Sequence, residues 1–253
     1  MNDVSRALAA EIAALQAELA TVRGELKDFT YTVSHDLRAD LRHILAFAEI
    51  VQEDAGPQLD AQAQAHLATI TGSARHMGVL MDGLMEYSRM GMVPLHVAPV
   101  QMGPMVQELC QALQAQCPQR ALEWRIADDF PDVRADAIQL RQAMAHLLGN
   151  AVKFTATRAR ATIEVGHQSG PADVVEPSCT FFVRDNGVGF NPALQAKLFH
   201  VFQRLHSPRE FAGIGMGLAL TRKMVERHGG SVSAEGAVDG GCCIRIELPR
   251  ALG

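Results

Sequence analysis

FTYTVSHDLRADLRHI, residues 29–44, sets His35 beside Asp36 in the middle of a helical pattern. Upstream, Leu8, Ile12, Leu15, Leu19, Val22, Leu26, Phe29 and Val33 alternate steps of four and three, the a/d seam of a coiled coil. At Val33 a second step of four leads to Leu37, and the seam resumes through Leu41, Ile44, Ala48 and Val51, so the register slips at the histidine. At about 100° per residue, His35 lies about 200° from Val33 and about 160° from Leu37, which turns it to solvent. A neutral imidazole keeps one ring nitrogen with a free lone pair, able to attack phosphorus. Asp36 could accept a hydrogen bond from the other nitrogen, hold the tautomer and take up the released proton. From this stretch alone, a solvated His–Asp pair on an ordinary amphipathic helix is the better reading, and what overturns it lies further along the chain.

The 253 residues and 48% hydrophobic content support two modest domains with cores of their own. A net charge of -5, a pI near 6.0 and the lack of a Lys/Arg run argue against nucleic acid as a partner. Cys110, Cys117, Cys179, Cys242 and Cys243 are odd in number and show no C-x-x-C spacing, so neither a disulfide framework nor a zinc site is indicated. No apolar segment approaches the roughly 20 residues that span a bilayer, and the N-terminus lacks the pattern of a signal peptide. The expectation is a soluble cytoplasmic protein with no membrane segment.

Read in order, the chain begins with a coiled-coil helix over 1–27 that runs into a helical hairpin over 28–90. Asp54-Ala55-Gly56-Pro57 stops the first helix, and Leu67, Ile70, Ala74, Met77, Met81, Leu84 and Ser88 mark the second. One hairpin cannot bury both faces; two hairpins from two chains close a four-helix bundle, which predicts a homodimer. A monomeric bundle packed on the C-terminal half is the alternative. Gly91, Pro94, Pro99, Gly103 and Pro104 mark a flexible linker over 91–104. The domain over 105–253 follows, with helices near 103–116, 137–154 and 215–228 and strands near 122–127, 161–167, 179–184, 231–236 and 242–248. Neighbouring strands with grouped helices predict an α+β fold, an α/β sandwich built on one sheet.

Within that domain an apolar strand, Phe181 to Arg184, runs into Asp185-Asn186-Gly187-Val188-Gly189. Asp185 can accept from an exocyclic amine such as adenine's, and Gly187 and Gly189 let backbone approach a planar base. Asn-Gly is equally a strong hairpin signal. Further on, Gly213-Ile214-Gly215-Met216-Gly217-Leu218 opens a helix whose N–H groups and positive dipole end suit phosphate. The polar segment before it, 205–212, fits a lid better than a strand. Phe199 and Phe202 read as core anchors for that lid, and Arg204 could reach a γ-phosphate. On the helix over 137–154, Asn150 could ligate Mg²⁺ and Lys153 could meet phosphate.

Five segments in this order, SHDLRADL, LLGNAVKFT, DNGVGF, LFHVFQR and GIGMGLAL, resemble the H, N, first glycine, F and second glycine boxes of bacterial sensor histidine kinases. The resemblance covers about residues 25–249 and implies a transmitter module: a dimerisation and histidine-phosphotransfer hairpin, then an ATP-binding domain of the gyrase, heat-shock-chaperone and histidine-kinase type. It also implies Mg²⁺-ATP as phosphoryl donor, phosphorylation of His35 and relay to an aspartate on a response regulator receiver domain. The wording around His35 is similar to kinases that follow photosensory or other soluble input domains, such as bacteriophytochromes, so an upstream sensory domain is expected outside this sequence.

Three departures qualify that pattern. Asp40 replaces the usual proline, which should leave the helix straighter; Ala39 stands where Thr or Asn orients the water for regulator dephosphorylation, so weak phosphatase activity is expected; His146 replaces the first asparagine of the N box, leaving Asn150 to carry the metal. Asp40 and His146 also suggest a rival, a dimeric signalling scaffold without kinase activity, and a second rival is an ATPase that uses the same pocket for conformational work.

Overall fold

The computed structural model describes residues 2–169, 178–207 and 209–250; the side chains of residues 2–9, 23, 26, 27 and 169 lie outside that description, and with them the seam positions Leu8 and Leu26. Two compact units divide the chain, residues 1–92 and 93–253.

The first unit is a helical hairpin. Helix α1, Asn2–Ala55, runs unbroken past Asp40, where no proline removes an N–H or crowds the preceding turn. A short 3-10 turn, Gly56–Gln58, leads to α2, Ala61–Met90, which starts where the Asp60 carboxylate accepts the Ala63 N–H at 2.7 Å. The apolar seam divides into two sets. Leu41 and Ala48 on α1 and Ala74 on α2 are buried, together with Ser34 and Met85 beside the seam, whereas Leu37, Ile44, Val51, Ile70, Met77 and Leu84 are exposed. One half of the a/d pattern therefore closes the hairpin, and the other half presents an apolar stripe along its outside.

The second unit is a sheet covered on one face by helices. Its elements are β1 (Ala98–Val100), α3 (Met102–Gln116), β2 (Leu122–Ile126), β3 (Val133–Ala135), α4 (Ala137–Phe154), β4 (Ala161–Ser169), β5 (Ser178–Asp185), α5 (Gly217–Arg227), β6 (Ser231–Gly236) and β7 (Cys242–Pro249). Five strands order as β2-β4-β5-β7-β6, with β2 parallel to β4 and the remaining pairs antiparallel. Alternation along the strands aims Ile163, Val165, Phe181, Val183, Ile246 and Leu248 at one face. There they meet Val106 of α3, Leu140, Met144, Leu147 and Leu148 of α4, and Val225 of α5.

Two expectations need correction. The domain holds two sheets, not one, because β1 and β3 pair separately as an antiparallel ribbon, Ala98 opposite Ala135 and Val100 opposite Val133. The segment expected as a free linker over 91–104 is for the same reason largely part of the second unit: β1 and the start of α3 lie inside it. Prolines and glycines there mark turns between short elements, not slack.

Candidate functional site

On α1, the His35 side chain is 63% exposed and its Nδ1 lies 3.2 Å from an Asp36 carboxylate oxygen, while the Tyr31 ring stacks alongside with centroids 6.4 Å apart. Ser34 next to it is buried against the hairpin, so the helix turns its neighbour outward. With Nδ1 engaged by the acid, Nε2 is the nitrogen left facing solvent, and a hydrogen on Nδ1 leaves the Nε2 lone pair available.

In the second unit α4 supplies one wall of the site. The Asp136 carboxylate starts this helix by accepting the Ile138 and Gln139 N–H groups at 3.0 and 3.1 Å. At its far end, Arg120 donates to the Val152 carbonyl at 2.7 Å and to Thr155 Oγ1 at 3.2 Å, which holds the last turn. Asn150 lies one turn from His146 and from Lys153 and Phe154, so these four share a face.

The Asp185-to-Gly189 turn leans on that helix end. Asp185 accepts the Gly187 N–H at 2.8 Å, and the Phe154 carbonyl accepts the Val188 N–H at 3.2 Å. A methyl group at Gly187 would lie 2.5 Å from the Phe154 oxygen; at Gly189, where φ is +59°, it would lie 1.8 Å from the Ala237 oxygen. Only glycine fits either place. Burial pushes the Asp185 carboxyl up to about 6, against the lowering effect of the Gly187 and Cys242 N–H groups and of Arg158. Asn186 shows why the hairpin reading of Asn-Gly fails: its amide bridges to β4, accepting from Thr162 N–H and donating to the Arg160 carbonyl, both at 3.0 Å.

The lid closes on the same place. Lys153 lies 4.4 Å from the centroid of the Phe154 ring, and its ammonium is pushed down by burial and then by the Arg204 guanidinium. Arg204 also donates to the Phe211 carbonyl, and Gly213, at φ +129°, faces Lys153. His206 lies 2.8 Å from the Gly189 carbonyl, within hydrogen-bond reach, and packs with Phe154 and Phe211, the three rings 5.0 to 5.4 Å apart. Gly215, φ +76°, threads past the Gln203 carbonyl, and Gly217 opens α5 against the His146 ring. Leu218 packs on the core as the first side chain of that helix, which begins at Gly217 and not at 215. Phe199 packs against the core, whereas Phe202 takes a left-handed φ of 61° and lies against Gly215.

The structure therefore brings Lys153, Asp185, Gly187 and Gly213 to the end of α4, with Asn150 one turn before it and Gly217 against His146; Gly189 joins through His206 and Arg204 through Phe211, while Gly215 and Leu218 flank Gly217 in the chain. His35 and Asp36 stand on the other unit. Sequence reasoning missed Phe154, His206 and Phe211 as one aromatic cluster, and it missed Arg158. That arginine donates to the Asn186, Gly187 and Asp239 carbonyls at 2.9, 3.0 and 3.0 Å and staples the glycine turn. Nothing periodic marks it. Among the described residues no group of three His, Cys, Asp or Glu side chains is placed to hold a metal ion, and none of the helices is long and apolar enough to cross a membrane. The Asn150 amide, on the face that carries Lys153, suits a Mg²⁺ held mainly by nucleotide phosphates and water.

Two family models match: His Kinase A (phospho-acceptor) domain over 25–92 and Histidine kinase-, DNA gyrase B-, and HSP90-like ATPase over 135–252. Cyanobacterial phytochrome B of Nostoc sp. is 34% identical over 226 residues, 89% of this chain and 29% of that protein. The methanogenesis regulatory histidine kinase FilI of Methanothrix harundinacea is 32% identical over 232 residues, 92% of this chain and 25% of that protein. The chain thus spans between a quarter and a third of these relatives. Among solved structures, full-length ShkA in complex with AMPPNP shares the fold at TM-score 0.61 and 24% identity, covering 89% of this chain and 46% of that one. Histidine kinase ThkA in complex with response regulator protein TrrA does so at TM-score 0.57 and 18% identity, covering 88% and 61%.

Proposed function

The chain belongs to the sensor histidine kinases, as a transmitter module made of the phospho-acceptor hairpin and the ATPase domain, and from that premise we propose that it transfers the γ-phosphoryl group of ATP to His35 and then to a response regulator. The observation that carries this reading is the cradle at the end of α4, where Asp185 braces a turn that only glycine fits at 187 and 189, and where Lys153 Nζ lies 3.6 Å from the place a methyl group at Gly213 would take.

The steps follow from side chains. Asp185 accepts the exocyclic amine of adenine, and the backbone at Gly187 and Gly189 lies close to the base plane. Lys153, Arg204 and the N–H groups at Gly213, Gly215 and the start of α5 meet the phosphates. Asn150 would hold a Mg²⁺ brought in with the phosphates, and that ion would supply charge neutralisation. His35 Nε2 attacks the γ-phosphorus in line; the new N–P bond forms as the bond from phosphorus to the β,γ-bridging oxygen breaks, and ADP leaves. Asp36 accepts the Nδ1–H hydrogen bond, offsets the positive charge that the ring gains on attack and takes up the released proton. An aspartate of a receiver domain then takes the phosphoryl group from the labile phosphoramidate.

Domain boundaries at 27 and 90, a homodimer formed through the exposed seam, an upstream sensory domain of the photosensory or another soluble type, and a cytoplasmic setting belong to the same reading. The likeness to a cyanobacterial phytochrome supports the input; free cysteines, among the described residues, and dependence on ATP support the compartment. Incubation with γ-labelled ATP is the test. Acid-labile label on the wild type, lost in His35→Gln while nucleotide binding persists, is the expected result; a wild type that stays unlabelled, or phosphate release indifferent to His35→Gln, overturns it.

A further inference from the structure

The segment that leaves α2 is gripped at once by the nucleotide-binding unit. Gly91 and Met92 N–H groups close the last turn of α2 on the Ser88 and Arg89 carbonyls at 3.2 and 2.9 Å. The next residue, Val93, offers its carbonyl to the guanidinium of Arg227 in the last turn of α5, and the same guanidinium donates to Gln139 Oε1 on α4 at 3.1 Å. Three residues on, the His96 N–H donates to Asp136 Oδ2 at 3.0 Å. Asp136 donates its own N–H to His228 Nε2 at 2.8 Å, which puts the His228 hydrogen on Nδ1, where the Met224 carbonyl accepts it at 2.7 Å. β1 then pairs with β3. Val93 and His96, the first residues of the second unit, are thus both held by bonds within that unit.

We propose that Arg227, seconded by Asp136 and His228, is a positioning residue for phosphoryl transfer: it holds the entry segment so that the tether between the acceptor hairpin and the nucleotide-binding unit has no slack. The proposal rests on the kinase reading given above. The need for a short tether follows from the hairpin register. Arg38 meets Asp82 at 2.8 Å and Arg75 meets Glu49 at 3.4 Å across the two helices. That register sets His35 level with Met85 and Glu86, about 7 Å along the axis from the end of α2 at Met90. An acceptor so near the tether is served best by a short one. Releasing Val93 frees residues 93–95 before the His96 bond, and added slack lowers both the local concentration of nucleotide at the imidazole and its orientation. Arg227 lies at the opposite end of α5 from Gly217, so nucleotide binding itself is left alone.

The experiment measures the initial rate of His35 labelling at saturating ATP, and the dissociation constant of a fluorescent ATP analogue, in wild type, Arg227→Ala and Arg227→Lys. Two further chains carry six Gly/Ser residues inserted between Met92 and Val93, with and without Arg227→Ala. Expected are a fall in labelling rate on the order of five-fold for Arg227→Ala, an unchanged dissociation constant, and substantial recovery in Arg227→Lys. The insertion alone slows labelling similarly, and Arg227→Ala added to it costs no more than about two-fold further, because the slack already exists. An Arg227→Ala chain that labels at the wild-type rate, loses nucleotide binding in proportion, or multiplies its loss with that of the insertion overturns the latch alone. An unlabelled wild type overturns the kinase reading and the latch with it.

Discussion

The Asp185 carboxylate accepts the N–H of Gly187 at 2.8 Å, so the acid that we propose for adenine also braces the glycine turn. Its folded value of about 6, against an ordinary 3.8, means that folding is penalised by ionising this group. Stability from this source is present at low pH, declines as pH rises from about 4 to about 6, and is level above that. Asp185→Asn removes the penalty, worth at most about 3 kcal/mol, yet cannot present an ionised acceptor. Thermal melts should therefore favour Asp185→Asn over wild type more at pH 7.5 than at pH 4, while affinity for an ATP analogue falls at least about ten-fold. Equal differences at the two pH values would count against the assignment.

Gly189 and Gly213 should fail in different ways. Alanine at 189 meets the Ala237 oxygen at 1.8 Å in a left-handed backbone, and a loss of about 3 kcal/mol or more is expected in denaturant titration. Alanine at 213 finds Lys153 Nζ 3.6 Å away and ample room, so only backbone strain of about 1–2 kcal/mol applies, spent in the lid. Nucleotide affinity should fall in Gly213→Ala with little change in the melting temperature.

Arg158→Ala unpairs the Asn186, Gly187 and Asp239 carbonyls. Because the guanidinium is partly exposed, water replaces part of what is lost, and a cost of about 1–2 kcal/mol is expected. The weakened turn should raise the dissociation constant for ATP by roughly the same factor that it lowers stability; a variant with wild-type affinity would show that the turn holds its shape unaided.

The outer stripe of the hairpin predicts its own assay. Ile44→Asp places a charge where Leu37 and Val51 line the same exposed face, and light scattering should report a shift from dimer towards monomer. Ile138→Asp, at a residue 80% exposed on the other unit, is the control that should leave the dimer intact.

Ala39 carries no polar atom four residues beyond His35. Ala39→Thr should raise the rate at which this protein dephosphorylates a phosphorylated receiver domain, at an unchanged rate of His35 labelling. Rapid dephosphorylation by the wild type would contradict the expectation of weak phosphatase activity.

Much of the architecture could be read from residue order alone. Steps of three and four marked α1 and α2, apolar runs bounded by glycine marked β4, β5 and β7, and the five boxes placed the site residues in order, because periodicity and chain-breaking residues act locally. Other features had no such signature. β1 and β3, three residues each, are too short for an alternation to show, and they pair across some thirty intervening residues.

What the sequence determined by itself was which residues are helical and which are extended, since each follows from neighbours a turn or two away. What only tertiary structure decided was which half of the seam is buried in the hairpin, the placing of Lys153 beside Gly213, the ring cluster of Phe154, His206 and Phe211, the staple of Arg158 and the grip of Arg227 on Val93. Each of these joins residues distant in the chain through long side chains or backbone carbonyls. Such partners are chosen by the packing of α4, α5 and the sheet, which no local pattern encodes.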